Sequence, residues 1–514
     1  MDINKKLLKT QYRSNKNTMQ IPVEGEMIIS DTRPDIKEII SERAEPSVTA
    51  GNVTDGRVSF KGVLSSGIIY ISKDEENPVS GASTMFNFED FMNFEGILKD
   101  DCVKISAFTE HCEFRRVNER KVAIRAVVTI VIQKYSMSTA ESIIPPEEKN
   151  GLQCLTESKI VRNHVLQNKT VFDIHETLSV PVAKPAADEV IFETYRVSDV
   201  DTKAMHGEYR ITGVLNAEIL YITPEGGLDS AKFDVPFDYT VDNDDVTEDM
   251  KAYSDIVVTE FKTGVFQDSS GENRIVDIDA VFSAVTDIFE DEKATYVSDA
   301  YCLQYPCVLE KNNITLPVFI GHNKARVAVK GTGSQTAGTD ILQVINVSGN
   351  VTSQSAYAGN GYAAAEGVAE VTVLYVAEDD AKPVYSFKAY VPFHQEIEMA
   401  GAVEGDNIAC DISLDGITFN IMNSREVEIT ANIIIEADIV RLEEKSAVSG
   451  IKDDSSSESC SPPAAVIYVV QKEDTLWDIA KRYCAVKEDI MSLNNIESED
   501  LIKQGEKILI MRKV

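Results

Sequence analysis

The stretch FKGVLSSGIIYIS, residues 60–72, decides how this chain is read, because it occurs three times. It returns as ITGVLNAEILYIT at 211–223 and as AEGVAEVTVLYVA at 365–377. Each copy sets a tyrosine eight residues after a glycine: Gly62 and Tyr70, Gly213 and Tyr221, Gly367 and Tyr375. The offsets between copies are 151 and 154 residues. A second block, R-x-V-x-I-x-A, begins at Arg120, Arg274 and Arg425. Between the two blocks lies an aromatic stretch: DFMNF around Phe91, VPFDY around Phe237 and VPFHQ around Phe393. Ahead of them stands an x-Pro-Val opening at Ile21-Pro22-Val23, Val180-Pro181-Val182 and Leu316-Pro317-Val318. Four features in one order, three times over, indicate a triplication.

Both blocks read as strands. In R-x-V-x-I-x-A the apolar side chains alternate and share one face of an extended chain. The tyrosine block is rich in β-branched residues and ends in turn-forming sequence such as KDEENP and TPEGG. The strand glycine marks a bulge or a close backbone approach, or equally is a small packing residue. Short helices are expected at PDIKEII (34–40) and ADEVIF (187–192), with Asp35 and Asp188 as helix starts. The expected architecture is mainly β. An N-terminal segment (1–19) precedes three homologous β-rich domains, sandwich-like or barrel-like, over 20–145, 160–295 and 310–445.

The net charge is −34, and nearly all of it falls upstream of Val466. Such a surface repels phosphate backbones and anionic head groups, so neither nucleic acid nor a membrane surface is expected as a direct partner. No apolar run approaches the ~20 residues that span a bilayer. MDINKKLLKTQYRSNKNTMQ lacks the apolar core of a signal peptide, so reduced thiols are expected for the eight cysteines. The sequence contains no C-x-x-C, H-E-x-x-H, G-x-S-x-G or phosphate-loop motif. GTGSQTAG (331–338) lacks the Lys-Ser/Thr ending of a phosphate loop and reads as a surface turn. No catalytic residue, cofactor or metal ligand is assigned, and a non-enzymatic protein is expected.

The serine- and charge-rich stretch 443–465 holds few bulky apolar residues and reads as a tether, with a flexible linker over 446–465. Beyond it a small α+β domain (466–514) is expected in the order β-α-α-β. IYVV (467–470) is its first strand. Thr475 caps a helix whose apolar face is Leu476, Ile479, Ala480 and Tyr483. A second helix follows over Lys487–Asn494, with Ile490 and Leu493 inward, and KILIM (507–511) closes the sheet. Trp477, the only tryptophan of the chain, is expected to pack between helix and sheet rather than to stack on a ligand.

The triplicated part resembles the spore-coat-associated SPOCS repeat of spore-forming Firmicutes. That resemblance implies a role in building the spore envelope and no reaction. YVVQKEDTLWDIAKRY…IMSLNNIESEDLIKQGEKILI resembles a LysM domain, a family that binds N-acetylglucosamine polymers with two neighbouring loops. Carried over, the binding residues are Glu473, Asp474, Thr475 and Leu476 with the adjacent Trp477 in the first loop, and Asn495, Ile496, Glu497 and Leu501 in the second. LysM domains usually carry glycine where this chain has Glu473. Together with Glu497, Glu499 and Asp500, that charge suits a protein partner better than an uncharged sugar. Three such repeats, a tether and one LysM domain are similar to the clostridial SpoIVA-interacting spore coat morphogenetic proteins. The similarity implies residence in the mother-cell cytoplasm at the forespore surface. The implied partner is a SpoIVA-like coat ATPase, with other coat proteins meeting the repeats. The alternative is a peptidoglycan-binding envelope protein or hydrolase accessory.

Overall fold

The computed structural model describes residues 5–74, 78–99, 101–144, 151–303, 307–336, 339–378, 382–453, 465–498 and 502–511. In each repeat the tyrosine block is the central strand of a small antiparallel sheet. β2 (Ile36–Thr54), β3 (Arg57–Ser72) and β4 (Val79–Asn93) form it in the first repeat. β8 (Glu189–Met205), β9 (Glu208–Ile222) and β10 (Leu228–Asp242) form it in the second, and β14 (Ile341–Gly359), β15 (Tyr362–Ala377) and β16 (Val384–Glu398) in the third.

The R-x-V-x-I-x-A block opens a much longer strand, which pairs with the long strand that begins the repeat. These hairpins are β1 (Lys5–Ile28) with β6 (Lys121–Ile143), β7 (Leu152–Ser179) with β12 (Asn273–Cys302), and β13 (Cys307–Ser334) with β18 (Glu426–Asp453). One further strand completes each long sheet: β5 (Val103–Asn118), β11 (Lys251–Gln267) and β17 (Asn407–Asn423). A single bridge between Val161 and Val318 joins the second and third long sheets edge to edge. The alternating apolar faces of the small and long sheets close on each other, which makes each repeat a sandwich. In the first repeat Val58, Phe60, Leu64 and Phe88 meet Ile21, Val23, Val128 and Ile130 in one core.

The strand glycines have a common explanation. Across the small sheet Gly62 faces Phe88, Gly213 faces Phe237 and Gly367 faces Phe393. Each ring lies over the bare backbone: a Cβ on Gly62, Gly213 or Gly367 would stand 2.2, 2.4 or 2.7 Å from its ring. Of the alternatives, the small packing residue is the one common to all three: each glycine leaves room for an aromatic ring. In the first repeat the equivalent aromatic is Phe88, not Phe91. Gly213→Ala is expected to cost about 1–3 kcal/mol through overpacking, read from the urea midpoint. An unchanged midpoint would refute the contact.

Several expectations are overturned. Residues 34–40 and 187–192 are not helices, because β2 begins at Ile36 and β8 at Glu189. The repeat tyrosines account for this: Tyr70 Oη donates to Pro34 O at 2.9 Å and Tyr221 Oη to Pro185 O at 3.0 Å, fastening the approaches to β2 and β8 onto the central strand. Asp35 forms an ion pair with Arg120 at 2.7 Å instead of capping a helix. The three x-Pro-Val openings are not equivalent either. Pro22 pairs with Val127 and Pro317 with Leu442, at different distances from their repeat arginines, and Val182 lies beyond the end of β7. The expected domain limits cut through continuous strands. β1 takes in most of the N-terminal segment, β7, β12 and β13 run through the expected inter-repeat gaps, and β18 extends to Asp453 in the expected tether. Gly331–Ser334, expected in a turn, end β13. Cys102, Cys112, Cys154, Cys307 and Cys410 are free thiols, but Cys484 is disulfide-bonded, against the expectation of reduced thiols throughout.

The repeats close into a ring. Arg33 of the first repeat reaches Val190 O of the second at 3.4 Å. Ser230 Oγ of the second donates to Ile345 O of the third at 3.1 Å. Ser386 Oγ of the third donates back to Ile40 O of the first. Gly81 stands at the first-repeat position equivalent to Ser230 and Ser386, and a Cβ there would lie 2.3 Å from Ile191 O. Ile69, Leu220 and Leu374, one from each tyrosine block, share an apolar plug with Ile191 and Ile345. Beyond the ring the three long hairpins run on together, with Ile143, Leu152, Val297, Val448 and Ile451 in a common core.

Candidate functional site

The C-terminal domain pairs β19 (Ala465–Val469) antiparallel with β20 (Lys507–Met511), and α1 (Leu476–Arg482) and α2 (Lys487–Leu493) lie between them in sequence. Thr475 caps α1, its Oγ1 accepting from Asp478 N at 3.1 Å. Asp474 accepts from Tyr468 Oη at 2.6 Å and Gln471 N at 2.7 Å, which fastens the first loop to β19. The Tyr468 hydrogen bond and that backbone N–H hold the Asp474 carboxyl below its ordinary range. Asn494 performs the same task for the second loop, exchanging hydrogen bonds of 2.7 Å with both backbone groups of Leu509. Leu476 and Ile496, one from each loop, meet in the domain core. Leu493, expected inward, is exposed.

Glu473, Thr475, Asn495 and Glu497 are exposed, Asp474 and Ile496 are half-buried, and Leu476 is fully buried. Leu501 lies outside the described residues. Glu473 and Asn495 both adopt left-handed backbone, with φ of 71° and 54°. Glu473 thus keeps the conformation that glycine adopts without strain. Glu473→Gly is expected to stabilise this domain by about 0.5–1 kcal/mol, seen as a raised unfolding midpoint monitored by Trp477 fluorescence; a lowered midpoint would contradict the strain.

Trp477 reaches the body of the protein from the core of its own domain. Its indole Nε1 donates to Asp299 Oδ2 at 2.8 Å, and its ring meets the edge of Tyr301, centroids 4.9 Å apart. Lys481 Nζ reaches the two oxygens of Asp299 at 2.8 and 2.6 Å, and Tyr301 Oη donates to Ala485 O at 2.7 Å. Burial alone would raise the Asp299 carboxyl; the donors from Lys481 and Trp477 and the charge of Lys311 bring it below its ordinary range. Trp477 packs, as expected, in the core of its own domain with Ile479, Ala480, Ile508 and Ile510, and Tyr301 of β12 joins that core. Asp299 and Tyr301 escaped sequence reading because they lie between repeats, in a stretch no motif covers. The alternation of Tyr296 and Tyr301 with small residues was the available signal.

A second concave region, a cavity of about 620 Å³, lies where the three repeats meet. Two of its cations are paired: Lys104 Nζ lies 2.7 Å from Asp255 and 2.9 Å from Asp411, and Arg13 lies 2.9 Å from Asp411. Among the described residues no group of three or more His, Cys, Asp or Glu is placed to hold a metal ion. No helix of the described residues is long and apolar enough to cross a membrane.

The SipL SPOCS domain model matches residues 35–117, 186–265 and 340–422, and the LysM domain model matches 468–510. Each SPOCS match covers β2–β5 or its counterpart and leaves out the long hairpin. No curated protein and no solved structure matches the chain.

Proposed function

For a chain that carries three SipL SPOCS domains followed by one LysM domain, we propose the role of a non-enzymatic adaptor in spore coat assembly. The SPOCS ring is the scaffold, and other coat proteins meet it. The LysM domain contacts a basement-layer ATPase of the SpoIVA type through Glu473, Asp474, Thr475, Asn495, Glu497 and Leu501. The place of action is the mother-cell cytoplasm at the forespore surface. The observation that supports this reading is the orientation of the LysM domain: Trp477 is engaged by Asp299, while Glu473 and Glu497 stay exposed. Carboxylates on a rim steer and select a basic protein surface.

The test combines imaging and binding. A fluorescent fusion should ring the forespore during sporulation and lose the ring when 466–514 are deleted. Glu473→Lys with Glu497→Lys should weaken binding to the purified ATPase about ten-fold. Unchanged affinity would remove the rim from the contact. The second reading, peptidoglycan binding, draws on the left-handed backbone at Glu473, which retains the loop shape of a glycine-bearing LysM domain. On that reading Glu473→Gly strengthens pelleting with insoluble peptidoglycan, whereas on the adaptor reading it leaves pelleting absent.

A further inference from the structure

Where the ring closes, the third repeat lies beside the first. Lys382 pairs with Glu38 at 2.7 Å, and Ser386 Oγ donates to Ile40 O. Further along β2 and β16 the two repeats enclose a groove of about 330 Å³. Most charges on its walls are matched. Arg43 is paired with Glu45 and Lys388 with Glu370 at 2.6 Å, while Glu110 accepts from Gln20 Nε2 at 2.5 Å and Thr129 Oγ1 at 2.9 Å. The Glu42 carboxylate also lines the groove, and among the described residues it has no hydrogen-bond donor or paired cation. It is exposed, yet the groove walls desolvate it enough to raise its carboxyl above the ordinary range; Lys388 opposes that rise and Glu113 adds to it.

The other repeats supply the comparison. Glu42 pairs with Ile68 and Glu193 with Ile219, each six residues past the repeat glycine. Glu193 accepts from Thr263 Oγ1, and the third repeat has Val347 at this place. Tyr390 lines the same groove and is 60 % exposed. It stands where the first repeat has Met85 and the second Asp234. The fold requires neither the unmatched carboxylate nor the exposed ring, since the other copies do without them.

We propose that this groove docks an extended segment of a partner protein that carries arginine, its guanidinium laid on the Tyr390 ring and paired with Glu42. A planar cation suits both groups: it stacks on an aromatic face and offers a carboxylate two parallel donors. Lysine presents a point charge and lacks the fork. The net charge of −34 draws basic segments toward the chain and repels nucleic acid and anionic lipid. The inference rests on reading the SPOCS ring as a scaffold that other proteins meet, and it adds the surface and the chemistry of one of them. It uses no residue of the LysM rim.

The test uses the full chain and, as probe, the end-blocked pentapeptide Gly-Gly-Arg-Gly-Gly, read by saturation-transfer NMR. Binding should be saturable, and citrulline, the uncharged isostere, in place of arginine should weaken it at least about ten-fold. Glu42→Gln and Tyr390→Met should each weaken it about five-fold. Glutamine keeps the shape of Glu42, and methionine is what the first repeat carries at the equivalent position, so the urea midpoints of both variants should match the wild type. Glu89→Gln removes an exposed carboxylate paired with Lys61 elsewhere on the first repeat, and it should leave affinity unchanged. Absence of saturable binding, equal affinity for the citrulline peptide, unchanged affinity in either groove variant, or an equal loss in Glu89→Gln would overturn the proposal. Such a failure removes the groove alone, because the adaptor reading is tested at the LysM rim, which this peptide does not probe.

Discussion

Asp287→Ala is expected to lower the unfolding free energy by about 3–5 kcal/mol, a loss typical of breaking a buried, hydrogen-bonded charge network. The carboxylate is 5 % exposed. Tyr135 Oη of the first repeat donates to it at 2.7 Å, Gln167 Nε2 donates at 2.9 Å, and His164 Nε2 stands 2.8 Å away. Tyr135 also stacks on His164, centroids 4.3 Å apart, so these partners are fixed by packing and cannot turn to water. Alanine removes the acceptor of the Tyr135 hydroxyl and the carboxylate that His164 and Gln167 also face, at the contact of the first and second repeats. The exposed His175–Asp279 pair supplies the control. Its separation of 2.7 Å is just as short, yet Asp279→Ala should change stability by no more than about 0.5 kcal/mol. Equal urea midpoints for the two variants would defeat the argument.

The same group sets an acid dependence. Burial alone would raise the Asp287 carboxyl, but the hydrogen bond and charge of His164, with the donors of Tyr135 and Gln167, bring it below its ordinary value. A carboxyl whose folded value lies below its unfolded value of about 3.9 stabilises fully above that value. The contribution is lost as pH falls through the folded value. The gap between wild type and Asp287→Ala should therefore be constant near neutrality and shrink below about pH 4.

What could be read from sequence follows the range of the interaction. Gly62, Tyr70 and Arg120 revealed the repeat because each recurs at nearly fixed spacing, and the alternation in R-x-V-x-I-x-A requires a half-buried strand. The LysM elements were legible for the same reason: the cap at Thr475 and the face of Leu476, Ile479 and Ala480 are local patterns. PDIKEII misled because Asp35, a good helix start in isolation, is claimed by Arg120 from far along the chain. The serine-rich approach to the tether concealed a strand because Ala447, Val448 and Ile451 bury their side chains against residues of other repeats. Ring closure has no local signature at all, since Ser230 and Ser386 act on carbonyls more than a hundred residues away.

Asp299→Ala is expected to release the LysM domain from the body while leaving each part folded. The substitution removes the acceptor of the Trp477 indole and the counter-charge of Lys481, and it leaves the apolar side chains of the LysM core in place. Losing a half-buried ion pair and an indole hydrogen bond together should cost the docked state about 3 kcal/mol, which is on the order of a hundred-fold in the docked fraction. Trp477 is the only tryptophan, so its fluorescence reports this contact directly. Emission should shift to the red and acrylamide should quench it more strongly, and Tyr301→Ala should do the same by removing the ring face. Unchanged emission in both variants would mean that the contact does not hold the domain. Binding then separates two roles for Trp477. If partners meet the rim around Glu473 and Glu497, freeing the domain leaves affinity for the SpoIVA-type ATPase within about two-fold, because the rim is untouched. If Trp477 itself is the contact, release exposes it and affinity rises.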